Sequence, residues 1–430
     1  MKNNKPGGCN EYHDLSRRNF LGVGGAALAA SATVPLWLPR IAYAREGGPP
    51  RDVLVSIFLR GGADGLSLCV PHGDPEYYTA RPLLSIPRPD SGDPNRAVDL
   101  DGFFGLPQAM SALTTAYDDG KLLFVHASGS VDESRSHFDA MHFMEVGKAR
   151  DPDLFTGWVG RHLISVPPLD ELAAIRAIGI SSGLQRHLVG APKSIPVPDL
   201  DDVGLSGRWE TRDARLESIN DMYRKAPTLL RASAENTTNT MALLDAIDFT
   251  GYQPANGAVY PESYFGYSLK SAAALIKAQV GVEAVSLDLG GWDTHEQQQP
   301  HTGYMAMLMA DLAAGMAAFH LDVIGEGLPV TLATMSEFGR VVAENGSEGT
   351  DHGHGNVMMV MGNRIAGGQV MLGDGGWPGL HPDLLWQGQD LAITIDYRDI
   401  LAEIVQNRLA GTDLDFVFPD YTPTFRGVTT

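Results

Sequence analysis

Six side chains able to bind a cation stand at the ends of three apolar runs: Asp293 and His295 in GGWDTHEQQ, Glu337 in TMSEFGR, and Asp351, His352 and His354 in TDHGHGN. Carboxylates mixed with imidazoles suit zinc, iron or manganese better than a metal selected by soft thiolates. Asp293 and His295 are two apart, as are His352 and His354. On a strand or extended loop, residues i and i+2 point the same way and can reach one ion together. Gly353 and Gly355 loosen the backbone around the second pair. A metal site is therefore the first expectation for this stretch.

The runs at 284–289, 330–335 and 357–361 have the length and composition of buried strands. The first two groups follow their runs, whereas the third precedes its own. Loops at the carboxyl ends of parallel strands open on one crevice. The third group joins the others there most easily if its strand runs antiparallel. Amphipathic segments at 268–280 and 304–324 feed the first two runs, and further strands are expected at 53–59, 122–126 and 177–180. That alternation predicts an α/β fold with a doubly wound, mostly parallel sheet and helices on both faces.

Other strand ends carry candidates of their own. Asp64 lies in the glycine-rich turn RGGADG after the first strand, where it either binds a cation or only shapes the turn. The turn is no dinucleotide fingerprint, since it lacks the third glycine and opens no clear helix. After the 122–126 strand comes SRSHF. Ser136 there suits an N-cap, and the same place suits a nucleophile or an anion, with Arg135 as a bidentate clamp. Alternating charges between 206 and 250 predict a surface helical pair inserted in the domain.

The first 44 residues read as an export signal. Ser16-Arg17-Arg18-Asn19-Phe20-Leu21 is a twin-arginine pattern, followed by a weakly apolar run and Ala42-Tyr43-Ala44. Residues 45–430 then form the expected single domain, periplasmic or secreted, with no stable membrane span after cleavage. The signal holds five basic and two acidic side chains, which leaves 27 basic against 50 acidic residues, a formal charge of −23. Such a chain repels nucleic acid and anionic membrane surfaces. Cys69 is the lone cysteine beyond the signal, so no internal disulfide forms, and a small buried apolar role suits it.

Together, LRGGADGLS, SRSHFDAMHFMEVG, GWVGRHL, DLGGWDTHEQQ, MSEFGR and DHGHGNVMMVMG, behind a twin-arginine start, resemble the domain of unknown function 1501 family of exported bacterial proteins. That family is similar to the alkaline phosphatase and sulfatase superfamily. The resemblance implies an alkaline-phosphatase-like sandwich, a divalent metal (zinc first, with calcium, manganese or iron as alternatives), and cleavage of small-molecule or glycan phosphate or sulfate esters. Carried over, Asp64 matches the first metal-ligand aspartate and Ser136 the nucleophile, with Ser134 as an alternate. Asp293 and His295 resemble the ligands after a middle strand, and His352 or His354 the late histidine. Glu337 lies where the Asp of an Asp-His pair is expected, and its histidine would fall on Phe338. The alternative alignment takes Asp351-His352-Gly353 as that motif. The competing reading is a non-catalytic envelope protein that binds a glycan, an anion or a partner from a co-encoded exported family. A metal oxidoreductase lacks any haem, flavin or molybdopterin motif to support it.

Overall fold

The structure is a computed structural model that describes residues 51–205 and 207–430; the expected export signal lies outside the described residues. Eleven strands follow in order: β1 (Val53–Leu59), β2 (Val98–Asp99), β3 (Gly105–Leu106), β4 (Leu122–Gly129), β5 (Ala177–Ile180), β6 (Ser194–Pro196), β7 (Ala284–Leu289), β8 (Val330–Met335), β9 (Asn356–Gly362), β10 (Gln369–Met371) and β11 (Ile395–Asp396). β2 and β3 pair apart as a small antiparallel ribbon. The other nine form one sheet in the order β10-β4-β9-β8-β1-β7-β5-β6, with β11 also paired to β4. β9 runs antiparallel to both of its neighbours, and every other pairing in this sheet is parallel.

β1 shows why the strands read as unbroken apolar runs. Val55, Ile57 and Leu59 face one core and Leu54 and Phe58 the other, so both faces are buried and no polar alternation survives. The first core is closed by α6 (Tyr264–Lys277) and α7 (Tyr304–Phe319). α7 continues as a π-helical turn to Ile324. The combined Tyr304–Ile324 segment is long and apolar enough to cross a membrane, but 61% of its apolar 18-residue window is buried within the fold, as befits a core helix. The second core is closed by α3 (Trp158–Ser165) and α8 (Tyr397–Asn407). The chain is thus a mixed α/β fold, its mostly parallel sheet flanked by helices.

Two more helices, α4 (Arg212–Arg224) and α5 (Thr228–Asp245), pair with each other, and α4 buries no residue. The register keeps the carboxyl ends of the central strands level, with Leu59 of β1 opposite Leu289 of β7 and Phe58 opposite Met335 of β8. Their loops therefore emerge side by side. The antiparallel β9 brings the residues before it to the same edge. A short turn, α1 (Gly65–Leu68), follows β1, and α2 (His137–Val146) follows β4.

Candidate metal centre

At that edge the loop after β7 supplies Asp293 and His295, the loop before β9 supplies Asp351 and His352, and α2 opens with His137. The loops fit together because two glycines allow it. A Cβ on Gly61 (φ +120°) would sit 2.6 Å from the Asp293 nitrogen. One on Gly62 (φ +69°) would sit 2.5 Å from the Phe338 ring. Any other residue would carry both left-handed strain and a clash. Arg340, fully buried, ties the loops from within: its guanidinium donates to the carbonyls of Gly61, Gly62, Trp292 and Thr350 and, at 2.7 Å, to Asp293 Oδ1.

Three imidazoles surround Asp293, each fixed by the nitrogen turned away from it. His137 Nδ1 donates to Glu337 Oε1 at 2.8 Å, His295 Nδ1 to Asp351 Oδ1 at 3.0 Å, and His352 Nδ1 to the Arg135 carbonyl at 2.8 Å. Facing a carboxylate or a carbonyl oxygen, Nδ1 is the donor, and in a neutral ring Nε2 is then a bare lone pair. Those lone pairs converge. His137 Nε2 lies 3.3 Å from Asp293 Oδ2, while His295 Nε2 and His352 Nε2 are each 3.1 Å from Oδ1 and 2.9 Å from one another. His137 Nε2 is buried and, among the described residues, has no hydrogen-bond partner.

Acceptors aimed at acceptors need a proton or a metal ion between them. Around a tetrahedral zinc with bonds of about 2.0–2.1 Å, ligand atoms sit roughly 3.3 Å apart, which the contacts of Asp293 with each ring approach, whereas His295 falls outside the group that closes within 4.8 Å. His137, Asp293 and His352 alone place one ligand atom each within 4.8 Å of one another. Outer carboxylates holding the far nitrogens of histidine ligands are a recurrent feature of such centres. The donor set therefore fits a divalent metal.

The electrostatics agree with ligand duty. Burial by itself would raise the Asp293 carboxyl, but the hydrogen bond and the charge of the Arg340 guanidinium hold it below the usual carboxylate range. Burial, with the charge of Arg340 beside it, pushes the His352 imidazole below its usual value, favouring the neutral ring. The Asp293 side chain is 47% exposed and that of His295 39%, so the cluster opens to solvent on one side. Phe338 closes another, its ring centroid 5.0 Å from His137 and 4.7 Å from His352. It is a wall of the site and not a ligand.

The expected residues separate accordingly. Asp293, His295 and His352 meet, whereas Glu337 and Asp351 hold rings in place from outside. Asp64 is at the same edge but is turned elsewhere: its buried carboxylate takes two bonds from the buried Arg81, at 2.5 and 3.0 Å, and one each from Ser67 and Gln298. Neutralised in this way, it stands apart from the cluster as the anchor of a structural ion pair. His354 also stays outside, its ring stacked on Trp386 at 4.0 Å. Ser136 is the exposed N-cap residue of α2 and makes no side-chain capping bond, contrary to the cap its position predicts. Ser134 Oγ accepts from the Ser136 amide. The Arg135 side chain is engaged by the buried Asp390 at 2.6 Å, away from any clamping role.

His137 is the residue that sequence reasoning missed. It sits in SRSHF beside the serine that drew attention, and its signal was position: the first residue of a helix that starts where β4 ends. No curated protein matches the chain. The model of the family described as "Protein of unknown function (DUF1501)" matches residues 204–397, a stretch that holds Asp293, His295, Glu337, Asp351 and His352, and this match supports membership of that family.

Proposed function

We propose that the chain is an exported, metal-dependent hydrolase of phosphate or sulfate esters, built on an alkaline-phosphatase-like form of the α/β fold. The observation that carries this reading is the convergence of three oriented imidazoles on one half-open carboxylate at the carboxyl edge of the sheet. His137, Asp293, His295 and His352 would hold the ion, with zinc the first expectation and calcium, manganese or iron the alternatives. When bound, the ion supplies Lewis acidity toward an ester oxygen and lowers the pKa of a nearby hydroxyl.

The remaining work falls to side chains of this chain. Ser136 immediately precedes His137, is exposed and has an uncommitted capping position, which suits attack on phosphorus or sulfur, with Ser134 as the alternate. Glu337 and Asp351 keep the rings in one tautomer and one orientation, and Phe338 excludes water from the inner face. The twin-arginine motif at 16–21 supports a periplasmic or secreted location.

One observation favours a second reading, a metal-anchored binding protein for a glycan, an anion or a partner of the co-encoded family. Arg135 and Arg340 are already bonded to protein groups, leaving neither free to balance a phosphoryl charge. Elemental analysis of the exported protein, paired with chromogenic phosphate and sulfate esters, separates the readings. Stoichiometric metal with chelator-sensitive turnover supports the hydrolase. Stoichiometric metal without turnover of any ester supports the binding protein.

A further inference from the structure

The face of α2 that carries His137 does not stop at the metal cluster. Residues four apart lie one above the other on a helix, so His137, Met141 and Glu145 form one stripe, with Phe138 and His142 beside it. Beyond His137 this surface borders a shallow, solvent-open cavity of about 590 Å³. Its floor comes from the same sheet edge, through Arg60 at the end of β1 and Asp288 of β7, and its far side from 181–186 after β5. Cluster and cavity are thus consecutive along one helix face. A ligand with its ester at the cluster has this cavity as the neighbouring space for the rest of its body.

The groups around the cavity divide into spent and unspent. Arg60 is spent: it bonds Glu145 at 2.9 and 3.1 Å and Asp288 at 2.9 Å. Glu145 also takes a bond from His187, and Asp288 one from Gln185. Arg186 is different. Its guanidinium has no carboxylate partner among the described residues and lies only over the Phe155 ring, 5.9 Å from the centroid. Phe138 is 85% exposed on the cavity wall, and Phe155 is 63% exposed beside Arg186. Ser181 and Ser182 add hydroxyls at the mouth.

Exposed flat rings, hydroxyls and one uncompensated cation are the chemistry that recognises a sugar bearing negative charge. The ring's C–H face stacks on an aromatic, and its carboxylate or sulfate takes the guanidinium as a fork. A lipid tail would need a continuous apolar lining, which Arg60, Glu145, Asp288 and Arg186 interrupt. A polyphosphate brings several charges, whereas the one unspent guanidinium beside Glu145 and Asp288 matches a single carboxylate or sulfate.

We propose that this cavity is the specificity site for an acidic glycan, with Phe138 stacking on a sugar ring and Arg186 pairing with its carboxylate or sulfate, so that the ester presented to the cluster is carried by a charged saccharide. This inference rests on the hydrolase reading for the role of the ester, but not for the binding itself.

The test uses the metal-loaded exported protein and a sulfated, uronate-containing disaccharide as probe, with the neutral, desulfated and carboxyl-reduced disaccharide as control. Calorimetric binding of the acidic probe at least tenfold tighter than the control, lost tenfold or more in Arg186→Ala and in Phe138→Ala, is the expected result. Both variants alter exposed or half-exposed side chains and should keep the parent unfolding midpoint. Their turnover of a small 4-nitrophenyl ester should stay within about twofold of the parent. No preference for the acidic probe, or equal binding by the two variants, overturns the inference even where small-ester turnover persists. Binding that depends on Arg186 in a protein that turns over no ester supports the glycan site while removing the hydrolase reading.

Discussion

The Nε2 atoms of His295 and His352 lie 2.9 Å apart, each ring donating through Nδ1 on its opposite side. Two lone pairs at that separation repel unless a proton or a metal ion lies between or beside them. Removing one ring tests which. His352→Ala should lower bound metal from near one equivalent to below a tenth, by elemental analysis after dialysis, and should leave the far-ultraviolet circular dichroism unchanged. Full metal retention would place the ion elsewhere.

Glu337 touches the centre only through His137. Glu337→Gln keeps the size but weakens the bond that orients the ring, and outer partners of this kind typically contribute about 10–100-fold in metal affinity. A competition titration against a chromophoric chelator should register a loss of that order. An unchanged affinity would leave Glu337 with the Gly61 amide as its main partner.

Ser136→Ala separates nucleophile from scaffold. Turnover should fall by at least about a thousandfold while metal content and unfolding midpoint stay at the parent values. Undiminished turnover would remove Ser136 from the mechanism and direct the same substitution to Ser134.

Arg340 should matter for stability before it matters for chemistry. Its guanidinium holds four carbonyls and the Asp293 carboxylate in a fully buried position. Lysine supplies one ammonium and cannot reach so many acceptors. Arg340→Lys should cost about 3 kcal/mol or more in urea unfolding, since it strands buried acceptors. A loss below about 0.5 kcal/mol would contradict the clamp.

Glu145 makes a pH prediction away from the cluster. Burial alone would raise its carboxyl, but bonds from His187 and Arg60 and their charges bring it down from 4.5 to about 2. A depressed acid contributes stability that is complete above its unfolded value and disappears as pH falls toward the folded one. The stability advantage of the parent over Glu145→Gln should therefore be flat above about pH 6 and shrink steadily from pH 5 to pH 3. A pH-independent difference would show that Glu145 is held by packing and not by charge.

The strands were legible because both of their faces are buried, and the antiparallel course of β9 followed from where Asp351 and His352 stand relative to it. Asp293, His295 and His352 were legible because ligand types sat at strand ends. What periodicity could not convey is which carboxylate meets which cation. Asp64 looked like a ligand until Arg81, 17 residues further along the chain, claimed it. His137 was hidden by its neighbour Ser136, and His354 read as a partner of His352 although its ring stacks on Trp386. The short β6, β10 and β11 lack any periodic signal and exist only through longer strands that they border.

β9 carries one further consequence. It is zipped between β4 and β8, which lie more than 200 residues apart in the chain, and His352 reaches its place only through it. The cluster thus depends on pairings between distant parts of the chain, so an ion held there would be captured by the assembled strands and not by a local nucleus for folding. The twin-arginine route carries proteins already folded, so on the export proposed above the identity of the ion would be settled on the side where synthesis occurs, by whichever metal that compartment offers, before the protein meets its substrate.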